Sequence, residues 1–149
     1  MGFLVWLEES ALGLFIRESL WGYPIVLSSH SVGMATVMGV VVALNFRVLG
    51  YAKGISILAF DKLFFIGWFG FLINLVSGLI LFCNTPTTYF FQGAFQLKIA
   101  FIVMGGILMK VVMNSVRGDT NEVFTKMFSA ACIASWFGGV ITGRLMAYM

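Results

Sequence analysis

Charge is scarce in this sequence. Only 10% of its 149 residues are Asp, Glu, Lys or Arg, where a soluble globular chain carries about 25%, so a water-facing surface cannot be built from it. One histidine, two cysteines and six acidic residues are too few for a Cys/His zinc cluster, a two-metal centre or a carboxylate-rich cation cage, which excludes most hydrolytic and metal-assisted chemistry. Basic runs are missing too. The pI is near 9.1 and the net charge +3, but the nine basic residues stand singly, without the basic helix face that nucleic acid requires. There is no nucleophilic triad, phosphate loop or nucleotide-fold signature, and the GxxG and GG pairs fall inside apolar stretches, where close helix packing accounts for them.

What is there is apolar. Hydrophobic residues make up 60% of the chain and aromatic residues 16%, with a mean hydropathy of +1.01, so the solvent for most of the surface is expected to be a lipid bilayer. At about 20 residues per crossing, stretches of spanning length run over 23–46, 63–82, 97–113 and 128–146. The first stretch, 3–20, mixes Glu8, Glu9, Arg17 and Glu18 with Trp6, Leu7, Leu12, Phe15 and Ile16. It lacks the basic start and small-residue cleavage site of a signal peptide and reads as an amphipathic helix lying in the interface, ended by Gly22 and Pro24. The expected architecture is therefore all-α, a single integral membrane domain over 1–149: an up-down bundle of four transmembrane helices with an N-terminal interfacial helix.

The connections differ in charge, and this sets an expected orientation. Arg47, Lys53, Asp61 and Lys62 follow the first span, and Lys110, Arg117, Asp119, Glu122 and Lys126 surround the third connection, whereas the second, Asn84 to Gln96, carries no charge. By the positive-inside rule the first and third connections are cytoplasmic and both termini lie outside, which in a bacterial inner membrane is the periplasm. Cys83 and Cys132 then fall at opposite faces, out of disulfide reach, as small apolar fillers. Gly138, Gly139 and Gly143 offer a face that another helix can approach closely, within the chain or in a second protomer.

An ionisable group inside a span needs a partner or a function. His30, about seven residues into the first span and roughly 10 Å deep, Lys98 at the start of the third and Arg144 near the end of the fourth are expected at similar depth near the outer side. No acid in the spans balances them. The cations either snorkel to the interface or meet a ligand that brings negative charge. A b-type heme has both required features: its iron takes an imidazole and its propionates are anions. On that reading His30 ligates the iron, Lys98 and Arg144 pair with the propionates, Gly33 leaves room for a porphyrin edge, and Phe71, Phe101, Met104 and Trp136 line the plane. Met34 shares the helix face of His30 and cannot be the opposite axial ligand. With one histidine per chain, a bis-histidine site requires an oligomer. The structural alternative is a His30 hydrogen-bonded to a serine or carbonyl of a neighbouring helix. Asn45, Asn74, Ser77, Asn114, Ser135 and Thr142 complete the expected buried polar set, as glue between helices.

The stretches Glu18-Ser-Leu-Trp-Gly-Tyr-Pro24, His30-Ser-Val-Gly33, Asn45-Phe-Arg-Val-Leu-Gly50, Phe95-Gln-Leu-Lys98 and Gly143-Arg144 with Tyr148 resemble a family of small bacterial four-helix membrane proteins of unassigned function. A first-span His followed by Gly, with a Lys opening the third span, is similar, more distantly, to the copper-resistance D membrane domain and to the HemJ-type protoporphyrinogen oxidases. The HemJ-type likeness implies a heme tied to His30. It does not extend to oxidase activity, because the further histidines of those proteins are missing here, and Asn45 stands where the unassigned family is expected to carry an acid.

Three functions follow as expectations. The first is an integral membrane heme b protein near the periplasmic leaflet, in electron transfer or in support of a redox partner, with a quinone or a periplasmic electron carrier in reach, and no catalytic residue assigned. The second is a non-catalytic accessory or scaffold subunit of a larger membrane complex, or a homo-oligomer, with His30 structural. The third is a small copper transporter or channel using His30, Met34, Met38 and Met104 as soft ligands.

Overall fold

In lipid the backbone must satisfy its own hydrogen bonds, and long apolar runs therefore fold as helices. The computed structural model describes residues 2–51, 54, 57–118 and 121–148, with 57–61 and 147 described by backbone alone. Lys53, Asp119 and the side chain of Asp61, which enter the orientation argument above, lie outside the described residues. Every element within them is helical: α1 (Gly2–Glu8), α2 (Ala11–Glu18), α3 (Gly22–Leu49), α4 (Ile57–Phe82), the short α5 (Pro86–Tyr89), α6 (Gly93–Arg117), α7 (Glu122–Leu145) and a final 3-10 turn, Met146–Tyr148. Four of these, α3, the Lys62–Phe82 part of α4, α6 and α7, are long and apolar enough to cross a membrane. The all-α fold with four membrane-length helices is the one the sequence predicts.

Some helices outrun the apolar stretches, and at α7 a side-chain cap sets the start. α7 starts at Glu122, where the Asn121 side chain accepts from the Val123 amide at 2.9 Å, rather than near 128. α6 reaches back to Gly93. The single helix expected over 3–20 is instead two. Ser10, with extended backbone, donates its hydroxyl to Leu7 O at 2.6 Å and accepts from the Gly13 amide at 3.2 Å, so one side chain closes α1 and caps α2. A serine that bonds to the backbone on both sides competes with the helix in this way.

The chain divides into two units, Met1–Val37 with Phe65–Gln92 and Met38–Phe64 with Gly93–Met149. In the first, the N-terminal part of α3 runs antiparallel to the C-terminal part of α4. The two meet backbone to backbone: a Cβ on Gly33 would lie 2.8 Å from both Gly70 O and Asn74 N, and one on Gly70 would lie 2.8 Å from Thr36 Cβ. α1, α2 and α5 gather at the end of α4. Arg17 donates to Glu8 O at 2.8 Å and Thr87 donates to the Glu8 carboxylate, while Gly13 sits so close to Cys83 O that its Cβ would be 2.8 Å away.

In the second unit α6 and α7 form an antiparallel pair around buried Met109, Val112, Met113, Cys132 and Trp136. The glycine face expected on α7 is used here by α6 of the same chain: the Phe101 ring lies over Gly138 and the Lys98 side chain over Gly143. The C-terminal part of α3 is tied in by polar atoms. Ser129 donates to Asn45 Oδ1 at 2.6 Å, and Asn45 Nδ2 donates to Val41 O at 2.7 Å, with both residues fully buried. Removing the donor strands a buried carbonyl. Ser129→Ala is expected to lower unfolding stability in detergent by about 1–2 kcal/mol; equilibrium denaturant unfolding that moves by only a few tenths would show that the pair does not hold α3 to α7.

Candidate functional site

The structure places the sequence-predicted residues in both units. His30 and Gly33 belong to the first, and Lys98, Met104, Trp136 and Arg144 to the second. Each set is described on its own.

His30 stands one turn before the Gly33–Gly70 contact, where α3 and α4 are closest. Its Nδ1 is 3.1 Å from the main-chain carbonyl of Asn74 and 3.0 Å from Ser77 Oγ. A carbonyl can only accept, so Nδ1 carries a proton. The serine completes the geometry: its hydroxyl donates to Ile73 O at 2.6 Å, which leaves an oxygen lone pair to accept from the imidazole. In the neutral ring the remaining lone pair is then on Nε2. Gly78 supports the edge of the ring, since a Cβ there would lie 3.2 Å from His30 Cε1. The Asn74 side-chain oxygen is buried with no hydrogen-bond partner among the described residues.

This partner set differs from the one nearest in sequence. Ser29 and Ser31, adjacent to the histidine, return their hydroxyls to Ile25 O and Leu27 O of their own helix. The serine that reaches His30 is Ser77, a member of the expected buried polar set. Of that set Asn45, Ser77, Ser135 and Thr142 are buried, Asn74 is half-buried and Asn114 is exposed. Asn114 falls on the outer face of α6, while its neighbours Val112 and Met113 face the core. Thr125 and Ser129, buried on the same face of α7, extend the set. Their four-residue spacing with each other and with Ile133, a half-buried position, is the signal that marks them.

The space at Gly33 is filled by the α4 backbone, so the missing side chain serves the helix crossing. In the second unit Trp136 packs its indole on Gly105, where a Cβ would lie 2.7 Å from Nε1, and this Nε1 has no hydrogen-bond partner among the described residues. Met104, 55% exposed, points out of the unit. Phe71 stacks edge-on with Trp68 at 5.7 Å between centroids. Lys98 and Arg144 both lie at one end of the α6–α7 pair, where the Lys98 side chain covers Gly143. Cys83 and Cys132 are free and buried, one in each unit. Among the described residues no group of three or more His, Cys, Asp or Glu is placed to hold a metal ion.

No protein-family model, curated protein or solved structure matches the chain, and its functional reading rests on its own residues.

The α3–α4 crossing tests the role of Gly33 directly. Gly33→Ala forces a methyl against two backbone atoms at 2.8 Å, whereas Gly139→Ala meets only side-chain carbons at 3.6–3.7 Å. Thermal melting in detergent is expected to show a clear loss for Gly33→Ala, about 1–3 kcal/mol as for other overpacked sites, and little for Gly139→Ala. Equal melting temperatures for the two variants would contradict the crossing.

Proposed function

We propose that this chain is an integral membrane protein that binds a b-type heme through His30 Nε2, in electron transfer or in support of a redox partner. The observation that carries the proposal is the hydrogen bond from His30 Nδ1 to Asn74 O. Metal-ligating histidines donate their other ring N–H to a carbonyl or carboxylate, which fixes the tautomer and ring orientation and raises the basicity of the ligating nitrogen. Asn74 O and Ser77 Oγ act on His30 in that manner. Holding the ring from α4 costs little motion because the Gly33–Gly70 contact locks the two helices together.

A heme held there supplies a one-electron couple at its iron, whose potential depends on axial ligation and burial. On this reading His30 offers Nε2, while Asn74 O and Ser77 Oγ hold Nδ1 and Gly78 lies against the ring edge. The groups that hold Nδ1, Asn74 O and Ser77 Oγ, lie on α4, so a change in Ser77 would act on a bound iron only through His30. The membrane is proposed to be the bacterial inner membrane, with both termini periplasmic and a quinone or a periplasmic carrier as the electron partner.

The test uses the full chain expressed with heme supplied. Wild type is expected to show a Soret band and low-spin or high-spin α/β bands of heme b, His30→Ala to lose at least about nine-tenths of the Soret absorbance at equal protein, and Ser77→Ala to keep the band with a shifted midpoint potential. No Soret band in wild type, or an undiminished one in His30→Ala, would sink the proposal.

A second reading, an accessory subunit of a larger membrane complex with His30 as a purely structural residue, draws on α4. Only 11% of its apolar window is buried within the chain, and Phe65, Trp68, Phe69, Leu72, Leu75, Val76 and Leu79 are exposed. It predicts stoichiometric co-purification of other polypeptides under mild detergent and unchanged assembly in His30→Gln.

A further inference from the structure

Lys98 and Arg144 sit at one end of the antiparallel α6–α7 pair. Lys98 is five residues into α6, and its side chain lies along α7: a Cβ on Gly143 would meet its Cε at 3.3 Å and its Cδ and Nζ at 3.4 Å. The ammonium is thereby brought beside the residue that precedes Arg144. It is half-buried rather than extended to solvent, and among the described residues it has no hydrogen-bond or ion-pair partner. A snorkelling lysine extends away from the helix toward water; this one is laid across a glycine of the neighbouring helix.

Arg144 is pre-set as well. Its guanidinium donates to Tyr148 Oη at 3.2 Å and lies 5.5 Å from the centre of the same ring, which fixes a long side chain and leaves most of its donors directed elsewhere. No described acid balances the two charges in this unit. Glu122, the acid of this unit whose side chain is described, is twenty-two residues back along α7 or about 33 Å away, and is paired with Lys126 at 2.7 Å. An ammonium and a guanidinium at one end of a helix pair of membrane length, with no described acid of this unit beside them, are suited to an anion.

We infer that Lys98, Arg144 and Tyr148 form a binding site for a phosphate group, supplied by the headgroup of an anionic phospholipid. Arginine matches phosphate oxygens with a planar fork and lysine adds a point charge. Helix ends in a bilayer lie in the headgroup layer, where such phosphates are concentrated, and tyrosine is at home at that level. Gly143 is what lets the lysine reach the site, since any side chain there would push its ammonium away from α7. The inference concerns the second unit alone and stands apart from the reading of His30.

Native mass spectrometry of the full-length protein, released from detergent with equal phosphatidylglycerol and phosphatidylcholine, tests it. Each cation near an anionic headgroup is worth about a fivefold gain, so wild type is expected to retain phosphatidylglycerol over phosphatidylcholine by at least on the order of tenfold. The preference is expected to vanish in Lys98→Gln/Arg144→Gln and to persist in the charge-keeping Lys98→Arg/Arg144→Lys. Millimolar inorganic phosphate separates the sources: retention unaffected by it assigns the site to the lipid headgroup, and displacement of the lipid by it assigns the site to a free phosphate group. Equal retention of the two lipids by wild type, a measurement that depends on no variant, or a preference that survives the double Gln substitution, overturns the site.

Discussion

The placement of the chain's single imidazole depends on one hydrogen bond, from His30 to the main-chain carbonyl of Asn74. A helical carbonyl is normally occupied by its own helix, and a histidine can reach it from outside only where two backbones come very close. Gly33 and Gly70 create that approach. The sole histidine of the chain, the close contact of α3 with α4 and the serine beside the imidazole are thus parts of one arrangement. Removing side chains at two positions decides the orientation of a third.

The second unit solves a similar problem with different groups. Between α3 and α7 the contact is polar, with Ser129 donating to Asn45 in a fully buried pair. Between α6 and α7 it is small against large, with Phe101 over Gly138 and Trp136 on Gly105. At the end of that pair the same device serves charge, because Lys98 crosses α7 over Gly143. Glycine in this chain is less a break in the helices than a seat for a neighbour, which is why 17 of them coexist with long regular helices.

Much of this was legible in the sequence. The four membrane-length helices follow from apolar runs alone, and His30, Lys98 and Arg144 stand out in the sequence as ionisable groups within or at the ends of those runs. The partners of His30 were not legible. A main-chain carbonyl such as Asn74 O has no signature in a sequence, and the hydroxyls nearest in number, Ser29 and Ser31, satisfy themselves on their own helix. Gly33 was visible as an open space, but the occupant of that space, the α4 backbone, depends on register between helices 40 residues apart. The break at Ser10 was hidden for another reason: its flanks are amphipathic on both sides, and only the cap geometry divides them.

Since the chain holds a single histidine, 15N-histidine labelling gives one imidazole and an unambiguous test of the central hydrogen bond. In the heme-free protein at neutral to mildly alkaline pH, 15N NMR is expected to show Nδ1 as the protonated, pyrrole-type nitrogen and Nε2 as the unprotonated, pyridine-type one, with this preference lost in Ser77→Ala or weakened toward the mixture of a free imidazole. A ring with its proton on Nε2 in the wild-type protein would contradict the account, because Asn74 O could not then hold Nδ1 and Nε2 would have no lone pair for a metal.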